Sequence, residues 1–272
     1  SPPGHKEFST PEGLLRFVAK LRELSGGKPV GFKLCVGFKH EFIAILKAIK
    51  STGIRPDFIT VDGAEGGTGA APLEFSNSVG TPLNEGLAFV VDALKGFDLK
   101  KDIRVIASGK VFTSFDLLTK LAMGADICNS ARGMMLALGC IQALRCNTNK
   151  CPTGVATTDA SLWKALHVPT KADRVASYQK ETVKHFTDLL GAMGYEQAHA
   201  VRRSDVYRRL TEGAVKTYEE IYPSMPEGFL LDEKNWSKLP HAWRTAMYES
   251  EPGSFSAVPQ GSVHQSVFAE RA

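Results

Sequence analysis

Phe58-Ile59-Thr60-Val61-Asp62-Gly63-Ala64-Glu65-Gly66-Gly67-Thr68-Gly69-Ala70-Ala71 joins a short apolar run to a loop with four Gly within seven residues. The run is too short for a helix and rich in β-branched and aromatic residues, so it reads as a buried strand. The loop after it frees the backbone to approach a ligand and exposes N–H groups. It is not a Walker loop, nor a GxGxxG turn in its usual strand–helix setting.

The same unit recurs on both sides. Upstream, Thr10-Pro11 opens a helix with a capping hydroxyl and a Pro at the first helical position. Leu14, Val18 and Leu21 follow at helical spacing, and Gly26-Gly27 stop it. Val30 to Val36 reads as a buried strand, then Phe42, Ile45, Leu46 and Ile49 form a helix closed by Gly53. Downstream, Leu83, Leu87, Val90, Val91 and Leu94 form a helix, and Ile103 to Ala107 a strand ending in Ser108-Gly109-Lys110. Phe115, Leu118, Leu121 and Ala122 form the next helix, and Ala125 to Asn129 a fourth strand running into Arg132-Gly133. Four strands alternating with helices predict parallel β/α units. Gly-rich and polar residues fall at strand C-termini, where ligands bind both in a (β/α) barrel and in an open doubly wound sheet.

The later part of the chain changes character. Residues 171–193 read as a long amphipathic helix, with shorter helices near 204–217 and 240–248 and a Ser/Gly/Pro-rich, mobile tail from about residue 251. The expected organisation is 1–165, four β/α units with a Cys motif; 166–250, a helical extension; and 251–272, the tail.

Composition narrows the function. The 272 residues carry 33 Lys plus Arg against 29 Asp plus Glu, a formal net charge of +4, without a dense basic block, so no nucleic-acid partner is expected. No apolar run is long enough for a membrane span. Five Cys, an odd number, argue against a disulfide framework and for a reducing, cytoplasmic compartment.

Three constellations carry chemistry. Gly109-Lys110 and Arg132-Gly133 close successive strands, as phosphate-binding turns do in barrels, with Lys110 or Arg132 supplying charge; ordinary βα turns are the alternative. Lys33 stands inside an otherwise apolar strand, where lysine is rarely buried without a partner or a task; a lysine at the strand's solvent end is the alternative. Cys140-x5-Cys146-x4-Cys151-Pro152 places three thiols within twelve residues, the last before a Pro, which suits an iron–sulfur cluster. Zinc would want a fourth Cys or a His, and His167 is distant in sequence. Cys35 and Cys128 are expected to pack inside strands, Trp163, Trp236 and Trp243 to pack in the C-terminal region, and no His shows metal spacing.

Taken together, Ser1-Pro2-Pro3-Gly4-His5, Lys33-Leu34, the Asp62 to Ala70 loop, Gly109-Lys110 and Cys140-x5-Cys146-x4-Cys151-Pro152-Thr153-Gly154-Val155-Ala156-Thr157 resemble the FMN-binding domain of glutamate synthase, in order over residues 1 to about 165. The stand-alone bacterial glutamate synthase-like proteins resemble it most. The resemblance implies an α/β fold, the C-terminal half of an FMN-binding (β/α)8 TIM-type barrel. It implies FMN and a [3Fe–4S] cluster as cofactors, and an oxidoreductase that reduces 2-iminoglutarate, made from 2-oxoglutarate and ammonia, to L-glutamate. The electron donor would be a ferredoxin or a reductase subunit. Lys33 would be catalytic and contact the flavin, where a cation stabilises the anionic reduced ring. Gly66, Gly67 and Thr68 would line the flavin and substrate loop, and Gly109, Lys110, Arg132 and Gly133 would frame the phosphate. Cys140, Cys146 and Cys151 would hold the cluster. Asn147 stands where the family usually has His, which bears on the cluster's surroundings. The rival readings are another FMN-barrel oxidoreductase, of the 2-hydroxyacid oxidase type, and a non-catalytic iron–sulfur electron-transfer domain. A half barrel would leave a wet inner face drawn from Phe32, Leu34, Ile59, Val61, Val105 and Ala107. The chain is therefore expected to form an oligomer, or to pair with the barrel's N-terminal half.

Overall fold

The computed structural model describes residues 4–66, 71 and 74–259. Its order is α1 (Pro11–Leu24), β1 (Gly31–Cys35), α2 (Lys39–Thr52), β2 (Phe58–Asp62), α3 (Leu83–Gly96), β3 (Arg104–Ser108), α4 (Ser114–Ala122), β4 (Ile127–Asn129), α5 (Ala131–Leu138), α6 (Ala160–Trp163), α7 (Val168–Ala192), β5 (Tyr207–Thr211), β6 (Ala214–Thr217), α8 (Tyr218–Ile221) and α9 (His241–Glu249), with short 3-10 turns between α7 and β5 and between α8 and α9. Strands β1 to β4 form one sheet in the order β1-β2-β3-β4. β4 runs parallel to β3, with Ile106 opposite Ile127 and Ala107 opposite Cys128. The β/α alternation read from the sequence is therefore present: each strand of this sheet is followed by a helix.

The chain divides into two compact units, one of residues up to 61, 88–105 and from 224 onward, the other of 62–87 and 106–223. In the first, the Thr10 hydroxyl accepts the Gly13 N–H at 3.0 Å, and Leu14, Leu15 and Val18 of α1 are buried. α2 buries Phe42 to Ile49 and ends on Gly53, whose φ of +71° supplies the left-handed residue that closes it. Within α2, Lys47 is only 2% exposed. Its Nζ donates to the carbonyls of Met247 (2.7 Å) and Ser250 (2.8 Å) at the end of α9, and lies 5.2 Å from the Trp236 ring centroid. Burial brings its pKa down to about 8, against the opposing charges of Glu233 and Glu251.

In the second unit, Thr113 and Asp116 form a reciprocal capping box that starts α4. α7 packs on α4 and α5. Residues 204–217, expected to be helical, instead form the antiparallel pair β5–β6, closed at Gly213 with φ +82°. Every residue of β5 is exposed. The pair is rooted by Arg203, 4% exposed, whose guanidinium donates to the carbonyls of Tyr222 and Met123.

Three other expectations are corrected. β1 is not a buried strand: Lys33 and Cys35 are exposed, because alternation turns them to the open face. Ile59, Val61, Val105 and Ala107 are 0% exposed and so do not form a wet face. In β3 and β4 the open side instead carries Ile106 and its partner Ile127, the latter 51% exposed. Trp163 is 48% exposed, whereas Trp236 is buried with its indole N–H donating to Leu230 O. Within the expected tail, Val258 N–H donates to Glu249 O; its residues from 260 on lie outside the described residues.

Candidate functional site

The turn after β2 is tightly folded. Asp62 Oδ1 accepts the Gly63 N–H at 2.9 Å, Ala64 N–H donates to Thr81 O, and Asn77 N–H donates to Ala64 O. Glu65 bends back so that Oε1 accepts the Leu83 N–H (2.9 Å) at the start of α3. Its Oε2 is buried and has no hydrogen-bond partner among the described residues. Gly66 holds φ +79°, and a Cβ there would lie 2.5 Å from Ser76 Oγ. Gly67 and Thr68 lie outside the described residues.

The turns after β3 and β4 meet this loop. Gly109 has φ +139°, and a Cβ on it would sit 3.3 Å from Asp62 Oδ1 and 3.5 Å from Gly63 N, so the absent side chain permits close backbone approach. Lys110 follows at φ +45° with its Nζ 3.5 Å from Asn77 Oδ1. Arg132 donates from Nη2 to Gly66 O at 3.3 Å. Gly66, Gly109, Lys110 and Arg132 are thus gathered at the C-terminal ends of successive strands. Ser130 makes no side-chain cap on α5; its hydroxyl donates to Val111 O at 2.8 Å instead.

Gly133 is in addition packed against a side chain from α7. A Cβ there would lie 2.3 Å from Tyr178 Oη and 2.7 Å from Ser130 Oγ. The close approach at this position is that of the Tyr178 ring. Lys33 sits on β1 of the first unit, exposed.

The cysteines form the second part. α5 ends on Gly139 (φ +106°), after which Cys140 begins an irregular segment. Cys140, Cys146 and Cys151 line one cavity of about 50 Å³, with Arg132, Met135 and Thr153 in its wall. Cys140 Sγ accepts the Gln142 N–H at 3.4 Å. The Thr153 hydroxyl at 3.5 Å, together with the N–H groups of Ala156, Thr153 and Val155, brings the Cys151 thiol down to about 7. Gly154, at φ +76°, makes this turn possible: a Cβ there would meet Leu162 O at 2.7 Å and Trp163 Cα at 2.8 Å. Cys128 goes the other way, pushed up to about 11 by burial. Among the described residues no group of three His, Cys, Asp or Glu is placed to hold a single metal ion. Three thiols lining one cavity, one of them lowered by neighbouring hydrogen-bond donors, are the donor type that fits a thiolate-held cluster.

Tyr178, Thr153 and Glu65 escaped the sequence reading. Thr153 had a local signal, the Thr-Gly directly after Cys151-Pro152. Tyr178 had none, since its partners lie far back along the chain.

The fold is that of a parallel α/β protein whose strand C-termini carry the Gly-rich turns, with a cavity lined by three thiols. Comparison makes the class specific. Residues 1–196 match the model described as the conserved region in glutamate synthase, and the chain belongs to that family. It is 42% identical over 221 residues to the glutamate synthase large subunit-like protein YerD of Bacillus subtilis (strain 168), covering 81% of this chain and 42% of the relative. It is 35% identical over 203 residues to an archaeal glutamate synthase (NADPH) of Methanocaldococcus jannaschii, covering 74% and 39%. It is 29% identical over 208 residues to an archaeal-type glutamate synthase (NADPH) of Dehalococcoides mccartyi, covering 76% and 41%. The chain thus spans about two fifths of the length of the curated relatives it matches. No helix among the described residues is long and apolar enough to cross a membrane.

Proposed function

We propose that this chain contributes the cofactor-bearing part of a glutamate synthase-like oxidoreductase. The reaction is reduction of 2-iminoglutarate, formed from 2-oxoglutarate and ammonia, to L-glutamate, with FMN held on a (β/α)8 barrel and a [3Fe–4S] cluster beside it. The observation that carries the reading is Arg132. Its guanidinium reaches the Gly66 carbonyl of the Gly-rich loop, and the residue is also among those lining the cavity of Cys140, Cys146 and Cys151. The two candidate cofactor sites therefore share a residue.

When bound, FMN would supply hydride chemistry and the cluster one-electron transfer. The chain's own residues position them. The glycines at 66 and 109 let their turns pack closely on Ser76 and Asp62, which brings their backbones together at the strand ends. Lys110, Arg132 and the uncapped N-terminal amides of α5 would hold the flavin phosphate. Thr153 and the amides of Thr153, Val155 and Ala156 favour the Cys151 thiolate, the form a metal takes. Lys33 would place a cation near the flavin. The electron donor would be a ferredoxin or a reductase subunit; two of the relatives carry NADPH in their names.

Replacing Cys146 by Ser tests the assignment. The native protein should show flavin bands with a broad iron–sulfur shoulder, and Cys146→Ser should lose iron and sulfide while retaining flavin. Full iron and sulfide in that variant would refute the ligand set. A shoulder without flavin bands in the native protein would favour the electron-transfer domain instead.

A further inference from the structure

We propose that Tyr178, on α7, is a positioning residue that sets the spacing of the two turns framing the ligand's phosphate. The proposal rests on the phosphate reading above and goes further, to a residue outside those turns. Its hydroxyl donates to Phe112 O at 2.5 Å, just beyond Gly109-Lys110. The same oxygen stands where a Cβ of residue 133 would be, 2.3 Å from that position, with Cζ at 3.0 Å. One phenol therefore touches the turn after β3 on one side and the first turn of α5 on the other.

The neighbouring contacts hold this part of α7 and the two turns in place. Thr182, one helical turn on, donates from its hydroxyl to Tyr178 O at 2.7 Å. The Ser114 hydroxyl, at the start of α4, donates to Thr182 O at 2.8 Å. Ser130, the residue before α5, is tied to Val111 O at 2.8 Å. α7 is thus fastened at two successive turns to the segment 112–114. Ser130 links the start of α5 to Val111. An anion held by backbone amides from two turns is sensitive to displacements of about 0.5 Å between them. Gly133 completes the arrangement by leaving room for the ring.

The experiment compares FMN with riboflavin, which lacks the phosphate. Binding of each to the native apoprotein, Tyr178→Phe, Gly133→Ala and the double variant is followed by quenching of flavin fluorescence, with melting measured on the same samples. Loss of the Tyr178 hydrogen bond should weaken FMN about three- to tenfold, the range a neutral hydrogen bond commands, and riboflavin less than about twofold. Gly133→Ala should weaken FMN more than Tyr178→Phe does. Its effect should shrink when the hydroxyl is already gone, so the two substitutions should be non-additive. Equal losses for FMN and riboflavin in Tyr178→Phe would overturn the proposal, because the phenol would then serve the fold alone. Strict additivity would overturn it as well. A native protein that binds FMN no more tightly than riboflavin would overturn the phosphate reading, and the role of Tyr178 with it.

Discussion

Lys47 gives the sharpest quantitative test of the packing. The residue is 2% exposed and its pKa is brought down from 10.5 to about 8, chiefly by burial. The unfolded chain therefore binds the proton more tightly than the folded one between those two values. Stability must rise with pH across that window, since the charged form is the one the fold disfavours. Integrated from pH 7 to pH 10, the linkage amounts to about 2–3 kcal/mol. Replacing Lys47 by Met removes this dependence. It also removes the donor to Ser250 O, a buried carbonyl whose loss of partner costs about 1–3 kcal/mol at any pH. Near pH 7 this loss and the relief from burying a charge oppose each other, so the variant should lie close to wild type. At pH 10 the relief is gone and the variant should be the less stable. Urea unfolding at pH 7, 8, 9 and 10, followed by tryptophan fluorescence, reports the difference between the two proteins and cancels the other titrating groups. Wild-type and Lys47→Met stabilities that run parallel from pH 7 to pH 10 would refute the reasoning.

Two further outcomes are expected. Gly154→Ala should lower the melting temperature and deplete iron, because a left-handed non-Gly residue costs about 1–2 kcal/mol before the clash with Leu162 O and Trp163 Cα is counted; unchanged melting and iron content would contradict the turn's role. Lys33→Met should leave FMN bound and melting unaltered but lower the flavin midpoint potential, read by spectroelectrochemistry; an unchanged potential would separate Lys33 from the flavin.

The β/α rhythm was legible because each apolar run is short and closed by glycine: Gly53 and Gly124 end helical segments, and the Gly63 and Gly109 turns follow strands. The hairpin β5–β6 was not, and the reason is local. Val206, Leu210 and Ala214 recur every four residues, which reads as one helical stripe. Only Val206 is buried, while Leu210 is 45% exposed, and Gly213 turns the chain back. The open face of β1 was hidden for the opposite reason. Phe32-Lys33-Leu34-Cys35-Val36 is so nearly apolar that alternation leaves little mark in the residue types, although Lys33 and Cys35 share a side. At the candidate site, the glycines and cysteines could be found because they must be those residue types. Tyr178 could not, since any aromatic residue on an amphipathic helix looks like packing until its hydroxyl is seen against Phe112 and Gly133.

Arg132 shows what the fold adds to the motif. Sequence order places it with Gly133 as half of a phosphate turn, and places the three cysteines after it as a separate device. Folding joins them. α5 is eight residues long and carries Arg132 in its first turn, where the guanidinium meets the loop after β2 and the residue also borders the cavity of the three cysteines. A guanidinium stays charged at every working pH and offers five donors in a fixed plane. One donor is used on the Gly66 carbonyl, which leaves others for a neighbouring anion. A lysine could match the charge but would lack the planar fork that allows two contacts in fixed directions. The type of residue at 132, together with the length of the helix that carries it, links the Gly-rich loop to the thiol cavity within one unit of the chain.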